Sequence, residues 1–341
     1  MIGSAVACPD KFRGTLSGAE AAAAIARGLR SAGIEDVVEL PLADGGEGTL
    51  DVILASRGGS RRHTTVTGPL GDPVDAEWAI LGDGTAIVEM ARASGHGLVA
   101  IERRDPLGAS TRGTGELIAA AIRAGAARVV VGVGGSATTD GGLAAVQALD
   151  WSFGAVPVTV ACDVRTGFLD AATIFGPQKG ASPAQVGLLT RRLDQLAGVY
   201  LDRVGVDVTG LEGAGAAGGL AGGLAAIGAT IEPGFDVVAE VVGLEAALER
   251  SSLVVTGEGK LDRTSFDGKV VGGVLDIAAD IGVVRRAVIA GQITDEAREE
   301  LSVLGEVEAL ALTDRVWQAG EAFARAALLV EEAAVEIARA G

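Results

Sequence analysis

The chain has 341 residues, 48% apolar and 21% charged, with 52 glycines and a formal net charge of −17. That length leaves ample chain for one large or two ordinary cores, and the acidic balance excludes a nucleic-acid binder or a partner of an anionic membrane surface. Two cysteines, Cys8 and Cys162, and two histidines, His63 and His96, cannot furnish a Cys/His metal cluster. The amino-terminal segment lacks the basic region of a signal peptide, and no uncharged apolar run reaches bilayer length, so the expected location is the cytoplasm.

In chain order, Ala5–Cys8 reads as a short strand, and Ser17-Gly18-Ala19-Glu20 as a capping box that opens a helix running to about Ser31. Val37–Leu40 is a second strand and Thr49–Ser56 a second helix. Three short strands, Thr64–Val66, Asp75–Leu81 and Ala86–Glu89, are separated by Gly-rich turns and are expected to pair antiparallel. Thr114 is expected to cap a helix over Gly115–Ala124, and Arg128–Val133 to be a strand feeding a long glycine cluster. Leu143–Leu149 follows as a helix and Val156–Ala161 as a strand. Ser182-Pro183-Ala184-Gln185 opens a long helix to about Leu201. Beyond the alanine-glycine stretch, Leu253–Thr256, Arg286–Ala290 and Val307–Ala311 are strands alternating with the helices Val270–Asp280 and Ala319–Ala340. The two ends of the chain share this alternation and the middle does not. The expected fold is therefore α/β with two domains. One is a discontinuous doubly wound parallel-sheet domain over 1–62 plus 233–341. The other is a mixed α/β domain inserted over 63–232, with ligands bound in the cleft between them.

Chemistry concentrates in glycine clusters, where absent Cβ atoms let backbone N–H groups meet an anion. These are Asp44–Thr49, Gly134–Gly142, Gly176–Gly180, Gly213–Gly219 and Gly257–Lys260. Lys11, Lys179, Lys260 and Lys269 are the only lysines of this acidic chain. Asp140 suits a Mg²⁺ ligand or general base and equally an N-cap; Asp44 shares that ambiguity. Glu47 favours a helix dipole. Asp163, directly after a buried strand, is less easily a cap. Lys179 and Lys260 suit either phosphate contact or an exposed loop, and the glycines around Lys260 are expected to make a turn. No Walker A motif is present. Gly132–Ala137 satisfies G-x-G-x-x-A but lacks the acid that should follow, so an NAD dehydrogenase is weakly supported.

The segments Cys8–Ser17, Leu42–Thr49, Val66–Gly71, Gly113–Ile118, Gly134–Gly142, Ala161–Val164, Phe175–Ala181, Gly213–Gly219 and Val255–Gly259 together resemble the type I glycerate kinases, over nearly the whole chain. The resemblance implies ATP- and Mg²⁺-dependent phosphorylation of D-glycerate, usually at the 2-hydroxyl, and a flavodoxin-like discontinuous domain. On that basis Asp44, Asp140, Asp163, Lys179 and Lys260 are candidate catalytic residues, with Asp140 and Asp163 as Mg²⁺ ligands. Gly134, Gly135, Ser136, Thr138, Gly141, Gly215, Gly218, Gly219, Gly257 and Glu258 would bind the nucleotide. Asp10, Lys11, Arg13 and Thr114 would bind glycerate. A homodimer is compatible with this reading. The connection Asp150–Pro157 is much shorter than in such kinases, which keeps open a kinase for a related hydroxy acid. A non-catalytic sugar-acid sensor is a further alternative, opposed by the intact carboxylates and lysines.

Overall fold

The computed structural model describes residues 3–316 and 319–340; Met1 and Ile2, read above with the amino-terminal segment, lie outside them. Its strands in chain order are β1 (Ser4–Ala7), β2 (Asp36–Glu39), β3 (Ser60–Thr67), β4 (Pro73–Ile80), β5 (Thr85–Glu89) and β6 (Arg128–Gly132), then β7 (Val158–Ala161), β8 (Thr230–Glu232), β9 (Leu253–Leu261), β10 (Arg285–Ile293) and β11 (Val307–Ala311). The chain divides into two compact units, one of Met1–Asp44, Asp51–Arg57 and Phe235–Gly341, the other of Gly45–Leu50 and Gly58–Gly234.

The first unit holds an all-parallel sheet in the order β11-β10-β9-β1-β2. Counted within the unit this is the flavodoxin order, and the winding reverses between β1 and β9. A parallel sheet covered on both faces needs continuous apolar strands. Ala5-Val6-Ala7, Leu253-Val254-Val255 and Ala287–Ala290 are accordingly all buried. The helix Gly18–Ser31 begins with the expected capping box: Ser17 Oγ accepts from the Glu20 N–H at 3.2 Å, and Glu20 accepts from the Ser17 N–H at 2.8 Å. This helix packs on the helix Ala326–Arg339 at Gly28, where a Cβ would stand 2.3 Å from the Glu331 carbonyl oxygen and 2.8 Å from the Ala334 Cβ. Gly28→Ala is therefore expected to lower stability by about 1–3 kcal/mol by overpacking, against a small gain from helix propensity; urea denaturation checks the sign.

The second unit holds a mixed sheet, β3-β4-β5-β6-β7-β8. The β3/β4 and β4/β5 pairs are antiparallel, as the turns between them predict, and the later pairs are parallel. The short connection after the helix Leu143–Ala148 is a tight reversal in which Asp150 and Trp151 take positive φ of 50° and 61°. Trp151 is pinned there by an edge-on contact with Tyr200 at 5.9 Å and by the Arg203 guanidinium 4.0 Å above its ring.

Four local expectations change. Thr114 caps nothing: the helix is Arg112–Arg123, and the buried N–H of Thr111 at its N-terminus is taken by the distant Asp140 carboxylate at 2.9 Å. The glycines around Lys260 make no turn. Strand β9 continues through them to Leu261, paired with β10 as far as Ile293. Gly257 and Gly259 are instead required by close approach, a Cβ lying 1.9 Å from the Ile289 carbonyl oxygen and 2.9 Å from the Arg13 nitrogen respectively. The carboxy-terminal helix is two, Ala319–Ala324 and Ala326–Arg339. Strand β8 and the helices Gly234–Val242 and Asp295–Val303 are additional to the predicted elements.

Candidate active site

In open α/β sheets ligands bind beyond the carboxyl ends of the strands, where the winding reverses. In the first unit that point lies at the ends of β1 and β9, and a cavity of about 420 Å³ occupies it. Its walls bring together Asp10, Lys11, Arg13, Asp44, Glu258 and Lys260, all expected from the sequence, with Asp262, Thr264, Ser265, Lys269 and Gln292. A second stretch of wall is apolar, formed by Leu312, Ala322, Phe323 and Ala326, with Phe323 exposed.

The carboxylates of this cavity crowd one another. Asp10 is pushed up to about 6 by burial and then by the like charge of Asp44, against the opposing pull of Lys11, of the Lys11 N–H at 2.7 Å and of Arg13. Glu258 is pushed up to about 7, again first by burial, with Asp10 and Asp262 adding to it and the Ser265 hydroxyl and Lys269 opposing it. Lys269 donates to the Thr264 hydroxyl at 3.1 Å. Lys260 is a solvated cation, its side chain 59% exposed and 3.8 Å from Asp262.

In the second unit, strand β6 runs into the Gly134–Gly142 loop. Lys179 is buried under this loop, only 5% exposed, and donates to the Thr138 carbonyl at 2.5 Å and to Ser136 Oγ at 3.3 Å. The exposed-loop alternative for Lys179 is thus excluded. Burial lowers its ammonium to about 8, against the opposing charge of Asp140. Asp140 accepts from the Thr111 N–H and hydroxyl, both at 2.9 Å, and from the Gly142 N–H at 3.2 Å, while burial pushes its carboxyl up. The Tyr200 hydroxyl donates to the Gly141 carbonyl at 2.8 Å. Thr114 is buried and donates to Ser94 at 2.9 Å; the Ser94 carbonyl in turn accepts the Ala137 N–H at 3.0 Å.

The glycines of this unit serve close packing between loops. A Cβ on Gly218 would lie 2.0 Å from the Thr138 oxygen, on Gly219 2.7 Å from Gly141, on Gly215 2.2 Å from the Gly167 oxygen, and on Gly134 2.7 Å from Gly46. Ala217, Gly218 and Gly219 all adopt left-handed geometry inside the helix Ala216–Ala226, and the Gly141 N–H bonds the Gly218 carbonyl at 3.0 Å. Gly135 lies against Glu47, and its carbonyl accepts from His96 Nδ1 at 2.7 Å. Asp163 follows β7 and is exposed. Cys8 and Cys162 are free and buried, with their thiols pushed up by desolvation, the inert state expected of them.

The sequence-predicted residues thus fall into two groups. Asp10, Lys11, Arg13, Asp44, Glu258 and Lys260 share the first unit's cavity, while Gly257 lies in β9 and does not line it. Ser136, Thr138, Asp140, Gly141, Lys179, Gly218 and Gly219 form a hydrogen-bonded and close-packed group in the second. Lys269 was not among the expected site residues, although its being one of the chain's four lysines marked it.

The glycerate kinase family description matches residues 5–156 and 152–341, leaving almost none of the chain uncovered. The chain belongs to the glycerate kinase family. It is a family of kinases, and its match breaks inside the short Asp150–Pro157 connection. Glycerate 2-kinase of Escherichia coli K12 is 41% identical over 332 residues, covering 85% of this chain and 86% of that protein. Glycerate kinase of Bacillus subtilis 168 is 39% identical over 330 residues, covering 86% of each. A crystal structure described as that of a glycerate kinase 2 from Salmonella typhimurium LT2 superposes with a TM-score of 0.86 at 35% identity, covering 100% of this chain and 98% of its own.

Among the described residues no three His, Cys, Asp or Glu side chains converge as a metal-binding set, and no helix is long and apolar enough to cross a membrane.

Proposed function

We propose that this chain transfers the γ-phosphoryl group of ATP to the 2-hydroxyl of D-glycerate in the cytoplasm. The observation that carries the proposal, beside family membership, is the first unit's cavity. Its roughly 420 Å³ far exceeds the needs of a three-carbon acid and lies within the range of nucleotide-sized ligands. It also pairs an apolar wall bearing Phe323 with a charged wall of lysines and carboxylates. We therefore assign the nucleotide to this cavity, with Lys11, Lys260 and Lys269 against its phosphates. That moves Lys11 and Arg13 from the acceptor, where the resemblance alone would put them, to the nucleotide. The 2-hydroxyl assignment is supported by the Escherichia coli relative being named a glycerate 2-kinase.

Mg²⁺ fits the same wall. It takes one or two carboxylates and completes its shell with phosphates and water, so a three-residue protein set is not required. Asp10, pushed up to about 6 by burial and the charge of Asp44, and Glu258, pushed up to about 7 by burial and the charges of Asp10 and Asp262, would both be relieved by a cation. They are better placed to hold Mg²⁺ than Asp140, whose two oxygens already accept three protein hydrogen bonds. When bound, Mg²⁺ would draw charge off the transferring phosphoryl group. The short 150–157 connection makes acceptor range a matter for measurement.

Coupled ADP release should depend on D-glycerate and on Mg²⁺, with ³¹P NMR reading 2-phosphoglycerate as the product. ADP release favouring another small hydroxy acid would replace the acceptor, and none with any such acid would overturn the proposal.

A further inference from the structure

Beside the Lys179 ammonium the second unit has a narrow notch walled by Leu70, His96, Arg104, Asp105, Ala137 and Lys179. Lys179 and Arg104 are both cationic, and among the described residues neither forms an ion pair; the nearer carboxylate influence on Lys179 is that of Asp140, which makes no salt bridge to it. Lys179 meets only neutral oxygens, those of Thr138 and Ser136. Arg104 donates from Nη1 to the Gln178 carbonyl at 3.3 Å, and its Nε is buried with no hydrogen-bond partner. Asp105, the one carboxylate on the wall, turns Oδ1 to the Leu107 and Gly108 N–H groups, both at 3.1 Å. His96 spends Nδ1 on the Gly135 carbonyl, which leaves Nε2 as its remaining polar atom.

A buried cation without a counter-ion and a buried N–H without an acceptor each cost free energy that a bound anion recovers. In a chain of net charge −17, two such groups on one notch define where an anion goes. The enclosed space is about 10 Å³, the share of a single water-sized group. It therefore admits the tip of a small oxyanion and excludes a chain of phosphates.

We infer that the Arg104–Lys179 notch is an oxyanion site that holds the carboxylate of the acceptor acid. The inference rests on the acceptor proposed above. It makes Arg104 a specificity residue, the group that distinguishes a hydroxy acid from a plain alcohol of the same size.

The test uses the full chain with Arg104→Met and Arg104→Lys, titrated calorimetrically with D-glycerate and, separately, with ATP, after thermal melts confirm that each variant is folded. Arg104→Met is expected to weaken glycerate binding by about 30-fold or more and to change ATP binding by less than about twofold, with Arg104→Lys recovering part of the loss. The kcat/KM preference for glycerate over glycerol should fall by a similar factor. Unchanged glycerate affinity in folded Arg104→Met overturns the notch, as does a loss of ATP affinity with glycerate affinity kept, which would make it a phosphate site. Should Arg104→Met not fold, the glycerate-to-glycerol ratio of Arg104→Lys decides alone: a ratio equal to that of the unaltered protein overturns the inference. Failure of the functional proposal is recognised separately, by the unaltered protein binding ATP and no small hydroxy acid.

Discussion

Asp10→Asn is expected to make the ligand-free protein more stable at pH 8 and far less active. Burial and the neighbouring Asp44 raise Asp10 from 3.8 to about 6. The folded state therefore binds the Asp10 proton more tightly than the unfolded chain does. Stability attributable to this group is untouched below pH ~4, falls as pH rises between about 4 and 6, and is fully lost above that window. Near 1.4 kcal/mol per pKa unit, the charged carboxylate costs the folded state about 2–3 kcal/mol at pH 8. Asparagine, nearly isosteric and uncharged, removes that cost. The gain in urea-derived stability should be about 2 kcal/mol at pH 8 and close to nil at pH 4. Glu258 responds to the charge of Asp10, so Asp10→Asn should also lower the apparent pKa of Glu258, and gains from altering both residues should not add. Activity should fall about 100-fold or more if Asp10 holds Mg²⁺ as proposed, since the like charges crowded at this wall are the ones such a cation would relieve. An Asn variant that is less stable at pH 8, or equally stabilised at pH 4 and 8, would refute this account of the cavity.

Lys179→Met should separate stability from activity in the same manner but with the opposite pH sign. Burial lowers the Lys179 ammonium from 10.5 to about 8. The unfolded chain therefore binds this proton more tightly, and the protein gains stability as pH rises from about 8 toward 10.5 while paying the full penalty below 8. Methionine has a similar length and no charge. The variant should be at least as stable as the unaltered protein at pH 7, within about 1 kcal/mol after the lost hydrogen bonds to Thr138 and Ser136 are counted, and should lack the alkaline rise. Phosphoryl transfer should drop by about 10²–10³-fold, the usual effect of deleting one preorganised charged donor. Near-normal kcat/KM in a folded Lys179→Met protein would remove Lys179 from the active site. A stability difference independent of pH from 7 to 10 would show that its ammonium is not the buried charge described here.

Much of the fold is legible in local chemistry. The Ser17/Glu20 and Ser182/Gln185 capping boxes form as their spacing demands, because they satisfy N–H groups within a single turn. The Gly-rich turns among β3, β4 and β5 give the antiparallel pairs, and the apolar runs Ala5–Ala7, Leu253–Val255 and Ala287–Ala290 give the buried parallel strands. The errors lie where a partner distant in sequence decides. Thr114 lost the cap because Asp140 reaches Thr111 from another loop. Gly257 and Gly259 read as a turn because glycine permits turns, yet their role is to let Ile289 and the Arg13 backbone come close.

The sequence by itself determined the family, the alternation of elements, the inert cysteines and the set of loops that carry chemistry, since each is written in composition or in contacts between near neighbours. It also named most of the charged residues that matter. Only the tertiary structure decided how they are shared out: Asp10, Lys11 and Glu258 on one cavity, Lys179 buried under the Gly134–Gly142 loop, and Arg104 beside it with an unmet N–H. Burial and long-range charge set those roles, and neither is a property of a residue's neighbours in the chain.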